Sequence, residues 1–88
     1  MAVYVGLMRY CERTRSWAWR EKCHLFADDV LELHLHAHKM GLKRDWFQDN
    51  PRLPHYDLTR RQRRVAIRLG AIEATDEMLI EKMRKVES

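Results

Sequence analysis

Residues 23–41, CHLFADDVLELHLHAHKMG, hold a strand-like apolar stretch, two acids, a helical period and a glycine in immediate succession. CHLFA, residues 23 to 27, reads as a short strand running into Asp28 and Asp29, either of which can cap a helix and favours its positive end. At about 100° per residue Val30, Leu33, Ala37 and Met40 fall on one arc, Lys39 sits in the last turn, and Gly41 is a natural stop. A strand feeding directly into a helix puts the chain in the α/β class. The segment also carries His34, His36 and His38 at alternate positions, which on a strand would share one face opposite Leu33, Leu35 and Ala37. Cap, arc and stop favour the helix, and the helix separates the histidines. His34 and His38 are one turn apart and face the body of the domain or the rim of a pocket, whereas His36 points away beside Glu32 and Lys39 and is expected to be solvated.

The rest of the chain continues the alternation. Residues 3 to 7, within AVYVGLM, read as a first strand, with Gly6 marking a point where the backbone needs room. Met8 to Lys22 has weak periodicity and reads as an ordered loop suited to closing over a site, its Trp17 and Trp19 requiring a surface to rest on. DWFQ (residues 45 to 48) and HYD (residues 55 to 57) bracket the turn-rich DNPRLP as two short strands, or one strand and an extended edge. Thr59 and Gln62 form a capping box for a helix with Val65, Ala66 and Leu69 on its buried face and Gly70 at its end. AIEA is a further strand, and TDEMLIEKMRKV a last helix opened by Thr75, Asp76 and Glu77 and buried through Leu79, Met83 and Val86. The expected fold is a small single sheet of about four or five short strands with three helices, in two or three layers. Strand order is not legible at this level.

With 88 residues, 45% of them hydrophobic, and only three glycines and two prolines, the chain forms one compact domain, as a single copy or a small homo-oligomer. Seventeen Lys and Arg, twelve of them arginine, against thirteen Asp and Glu give a net charge of +4 and favour an anionic partner. Cys11 and Cys23 lack the spacing of a disulfide framework, MAVYVGLMRY is too soon broken by Arg9 for a signal peptide, and no apolar run spans a bilayer. The expectation is a cytoplasmic protein with no membrane partner.

Chemistry concentrates around Thr59. Helix starts prefer acids, yet Arg60, Arg61, Arg63 and Arg64 occupy the first turns, an arrangement that a bound phosphate or carboxylate would compensate. Arg60, Arg64 and Arg68 form one basic stripe that also contains Ile67, whereas Arg63 lies on the shoulder and is the better pocket candidate. Just ahead, His55 and Asp57 share a strand face beside the helix start, the usual ligand position in open α/β sheets. His34 and His38 have the helical spacing of two zinc ligands with Cys11 or Cys23 as a sulfur donor, but the cysteines are too far apart for a finger, so neither metal nor cofactor is expected. No G-x-S-x-G, P-loop or G-x-G-x-x-G is present, and no nucleophile or base pair is singled out by spacing, so no reaction is assigned.

Taken together, VYV, CHLFAD, ELH, GLKRDWFQ and HYDLT, followed by Arg63, Ala66 and LGA, resemble a family of small bacterial and phage proteins catalogued as domain of unknown function 4031, over most of the chain to about Ala74. The resemblance implies a shared set of His24, Asp28, His34, Trp46, Gln48, His55, Tyr56, Asp57 and Arg63, with Gly70 as a structural stop and with His36 and His38 outside it. The chain departs from the family where an acid usually follows VYV and Gly6 stands here.

That set suits a binding site for a small anionic ligand, nucleotide-like or phosphorylated: Trp46 to stack on a ring, Gln48 to read its edge, Arg63 to hold the anion among the imidazoles. The alternatives are nucleic-acid binding through Arg60, Arg61, Arg64 and Arg68 together with the Trp-bearing loop, and a phage-type accessory or inhibitor that contacts a host protein through Ile67 and exposed tryptophans, as phage membership of the family implies.

Overall fold

The computed structural model describes the backbone of residues 2–87 and the side chains of residues 2–84. The longest strand, β3 (Glu21–Ala27), organises the sheet because both of its faces find apolar partners: Cys23 and Leu25 are buried on one side and Phe26 on the other. β1 (Val3–Val5) runs antiparallel to it with Val5 opposite Leu25. β5 (His55–Leu58) lies along its other edge, antiparallel, pairing Cys23 with Leu58, His24 with Asp57 and Leu25 with Tyr56. β4 (Phe47–Gln48) and β6 (Ile72–Glu73) complete the order β4-β5-β3-β1-β6, β6 being parallel to β1, and β2 (Arg9–Tyr10) pairs with the start of β3. The fold is α/β, a mixed sheet with three helices.

Alternation along the strands sorts the layers. Val5, Cys23, Leu25, Tyr56 and Leu58 face Leu33 and Ala37 of α1 (Val30–Lys39) and Ala66 of α2 (Arg60–Arg68) in one core. Tyr4 and Phe26 point the other way, into a second core with Leu53, Ala74 and Met78, Leu79 and Met83 of α3 (Asp76–Glu87). The large fully buried residues Leu25, Leu33 and Leu58 each contribute roughly 1.5–3 kcal/mol of transfer free energy.

Local signals act as their chemistry requires. Asp29, rather than Asp28, caps α1 by accepting from the Leu31 amide at 3.1 Å. Gly41 (φ 79°) and Gly70 (φ 108°) end α1 and α2 in left-handed backbone. At each end the next amide reaches back, Leu42 to the Ala37 carbonyl at 3.0 Å and Ala71 to that of Ala66 at 2.9 Å, satisfying carbonyls the helix leaves open. Among the described residues no helix is long and apolar enough to cross a membrane.

Several expectations need correction. The strand expected over residues 3 to 7 ends at Val5, the one expected from Cys23 begins at Glu21, and DWFQ is a 3₁₀ turn (Arg44–Trp46) followed by the two-residue β4. The Met8–Lys22 loop includes β2, held by pairing of Arg9 with Lys22. On α1 the roles of two histidines are exchanged: His36 is buried and His38 exposed. The helix is rolled so that the His36 Nε2 lies 3.3 Å from the Ala66 carbonyl of α2. On α2 only Ala66 is fully buried; Leu69 is 44% exposed, while Ile67, expected in the solvated stripe, packs against the first core. The expected burial of Val86 lies outside the described side chains.

Candidate functional site

His24 follows Cys23 and precedes Leu25, both directed into the core of α1 and α2, so its ring emerges on the opposite face of the sheet. The same parity on β5 sends Tyr56 and Leu58 into that core and His55 and Asp57 to the face of His24. Because the register sets His24 opposite Asp57, the three polar side chains converge next to Phe26. The His24 Nδ1 lies 3.0 Å and the His55 Nε2 3.5 Å from the same oxygen, Asp57 Oδ1, and the two imidazole centroids are 4.1 Å apart. Lys22, two residues before His24 on the same strand face, places its Nζ 3.7 Å from Asp57 Oδ2.

Backbone fixes the orientation of one ring. The His55 Nδ1 is 2.7 Å from the Leu53 carbonyl and donates to it, which leaves Nε2 directed at Asp57. Burial of Asp57 pushes its carboxyl upward, but the hydrogen bonds from His24 and His55 and the charge of Lys22 outweigh that and hold it far below the usual carboxylate range. Asp57 is therefore an anion at neutral pH.

Asp57 forms part of the wall of a cleft of about 560 Å³ lined also by Trp17, Trp19, Trp46, Gln48, Lys22 and Gln62. Trp17 and Trp19 pack edge to face at 5.1 Å, and the Trp17 indole donates to the Glu21 carbonyl at 3.2 Å, which anchors the loop ahead of β3. Glu12 and Asp45 also border this cleft, so its lining carries three acids against one lysine. The site residues that sequence reasoning missed are Lys22, Gln62, Asp45 and Glu12, while Trp17 and Trp19 were marked only as part of a loop suited to closing over a site. Lys22 was detectable, since a strand begun at Glu21 puts it in phase with His24.

The chain matches a family model described as "Protein of unknown function (DUF4031)" over residues 3–86. The chain belongs to this family. No curated protein and no solved structure matches it.

The match runs beyond Ala74 into α3, and the residues of the family pattern do not all meet in one place. His24, His55 and Asp57 form the cluster, and Trp46 and Gln48 join Asp57 in the cleft. His34 and Tyr56 lie on the opposite face of the sheet, where the His34 Nδ1 and the Tyr56 hydroxyl are 2.8 Å apart and the His34 ring meets Phe47 edge-on at 4.6 Å. Burial there lowers the pKa of His34 and raises that of Tyr56. Asp28 stands past the far end of β3, paired with Lys82 and accepting from the Ala2 amide at 3.1 Å and the Tyr4 hydroxyl at 3.4 Å. It lines a second cavity of about 530 Å³ with Arg52, Leu53 and Lys82.

Two of the arginines expected to seat an anion, Arg60 and Arg63, have protein partners. Arg60 grips Glu21 with two bonds of 2.9 and 2.8 Å, and Arg63 donates to the Gly6 carbonyl at 2.9 Å and to Glu73 at 3.2 Å. The start of α2 is closed by its own capping box: Thr59 accepts from the Gln62 amide at 3.2 Å while Gln62 accepts from the Thr59 amide at 2.9 Å. Arg61, Arg64 and Arg68 are exposed. The His34/His38 zinc pairing is also absent from the geometry, because His38 is exposed, His34 is turned to Tyr56, and Cys23 lies in the core with burial pushing its thiol up to about 11.

Proposed function

We propose that the cleft over Asp57 binds a small anionic ligand carrying a flat ring, of the nucleotide or phosphorylated-metabolite class. The observation that carries this reading is the convergence of Trp17, Trp19 and Trp46 with Gln48 on one cavity of about 560 Å³, within the roughly 300–1,000 Å³ usual for small-molecule sites. Trp46 is 47% exposed, so its indole is available for stacking, an interaction worth about 1–3 kcal/mol per base. The Gln48 amide offers a donor and an acceptor to a ring edge, and Lys22 and Gln62 supply donors to the anionic group. The anion seat thus moves from the start of α2, where Arg60 and Arg63 are engaged, to the mouth of this cleft.

Tryptophan emission titrated with nucleoside monophosphates, with and without added Zn²⁺, tests the reading. A saturable change in either buffer, weakened roughly tenfold or more by Trp46→Ala, is expected. An emission unchanged to millimolar nucleotide in both buffers removes the proposal. Salt-sensitive nucleic-acid binding lost on Arg64→Glu with Arg68→Glu would move the function to the basic stripe of α2.

A further inference from the structure

We propose that His24, His55 and Asp57 form a binding site for one first-row divalent metal ion, held by two imidazole nitrogens and one carboxylate oxygen, with the remaining coordination positions turned to the tryptophan-lined cleft. The site stands whether or not the cleft takes a nucleotide.

The first argument is geometric. One ligand atom each from His24, His55 and Asp57 lies within 4.8 Å of the other two, and the His24 Nδ1 and His55 Nε2 are 3.0 and 3.5 Å from Asp57 Oδ1. Bonds of about 2.1 Å bring neighbouring ligand atoms to about 3.0 Å in octahedral and about 3.4 Å in tetrahedral arrangement. The two nitrogen–oxygen separations of 3.0 and 3.5 Å lie at or close to that interval.

The second is chemical. The Nδ1 of His55 donates to the Leu53 carbonyl at 2.7 Å, which fixes the ring with Nε2 aimed at Asp57 Oδ1, 3.5 Å away. A ligating histidine whose second nitrogen donates to a backbone carbonyl is the usual outer-shell arrangement. Two nitrogens with one oxygen suit Zn²⁺, Co²⁺ or Fe²⁺ better than Mg²⁺ or Ca²⁺.

Charge and space agree. Glu12, Asp45 and Asp57 border the cleft against Lys22 alone, so a divalent cation neutralises an acidic excess and equips the cleft for an anion. Gly6 continues the β1–β3 ladder, its amide donating to the His24 carbonyl at 3.0 Å, and in phase with Tyr4 it shares the face of His24. A Cβ added there meets no atom closer than 4.0 Å, so a further ligand side chain fits beside the cluster.

The test uses the full chain stripped with a chelator and no nucleotide present, titrated with Zn²⁺ by calorimetry and with Co²⁺ by visible absorption. One ion per chain is expected, with the ring ¹⁵N resonances of His24 and His55 shifting on Zn²⁺ addition in the wild type. His24→Gln weakens uptake by about 100-fold or more, and Gly6→Asp tightens it roughly tenfold. Absence of uptake by folded protein at millimolar Zn²⁺, or shifts confined to His34, His36 and His38, overturns the proposal; the wild-type resonances decide it even where a variant does not fold. Because metal uptake is read without nucleotide and nucleotide binding in both buffers, the two readings fail separately.

Discussion

Arg63→Ala separates a structural strap from a ligand-binding arginine. The side chain is only 16% exposed and joins three elements: it projects from α2, donates to the carbonyl of buried Gly6 just past β1, and meets Glu73 on β6. Its bond to Gly6 is charge-assisted, worth about 1.5–3 kcal/mol, and truncation leaves that carbonyl without its partner. The Glu73 contact adds less than about 1 kcal/mol, since the carboxylate is 65% exposed and screened by solvent. A total loss of roughly 2–4 kcal/mol follows. At about 4–8 °C per kcal/mol for a domain of this size, the melting temperature falls by roughly 8–32 °C. Urea unfolding followed by circular dichroism should show a lower midpoint with an unchanged slope, Glu73→Ala should cost far less, and Arg63→Lys should recover part of the loss. A variant that melts within about 2 °C of wild type while losing affinity for nucleotides would refute this reasoning and return Arg63 to the ligand.

Other expected outcomes concern the cores and helix ends. Burial lowers the pKa of His34 and of His36 below the ordinary 6.5, so the unfolded chain binds more protons as pH falls; stability is full above about pH 6.5 and declines below it, and His36→Gln should flatten that slope in urea titrations across pH. Gly70→Ala forces a side chain into backbone at φ 108° and should cost about 1 kcal/mol or more, read as a lowered urea midpoint. A thiol reagent should modify half-exposed Cys11 in the native protein but reach Cys23, 3% exposed with its pKa pushed up to about 11, only on unfolding; equal native rates would contradict the packing of β3.

What could be read without tertiary information was whatever neighbouring residues enforce on one another. The helical period of Val30 to Met40, the Thr59–Gln62 box, and the glycine stops at Gly41 and Gly70 each lie within a few residues of their partners, and all appear in the fold. Strand parity likewise put His55 and Asp57 on one face. The family pattern named all three residues of the cluster and, of the cleft lining, Trp46, Gln48 and Asp57, but as one group, and it did not separate the two faces of the sheet.

Tertiary structure decided everything that depends on register or on which surface a helix meets. His24 reaches Asp57 across 33 positions of chain because β3 and β5 pair in that register, and no local rule sets the pairing of distant strands. Docking of α1 against the Ala66 carbonyl buried His36 and exposed His38, a roll that an amphipathic wheel with histidines on both shoulders leaves open. The arginines at the start of α2 found Glu21 and Glu73 on two strands, so a charge pattern suggesting an anion was answered by carboxylates from elsewhere in the chain. Local sequence determined the elements and their ends because those forces act within a turn or two, and packing chose the partners because long-range contacts form only once the strands are in place.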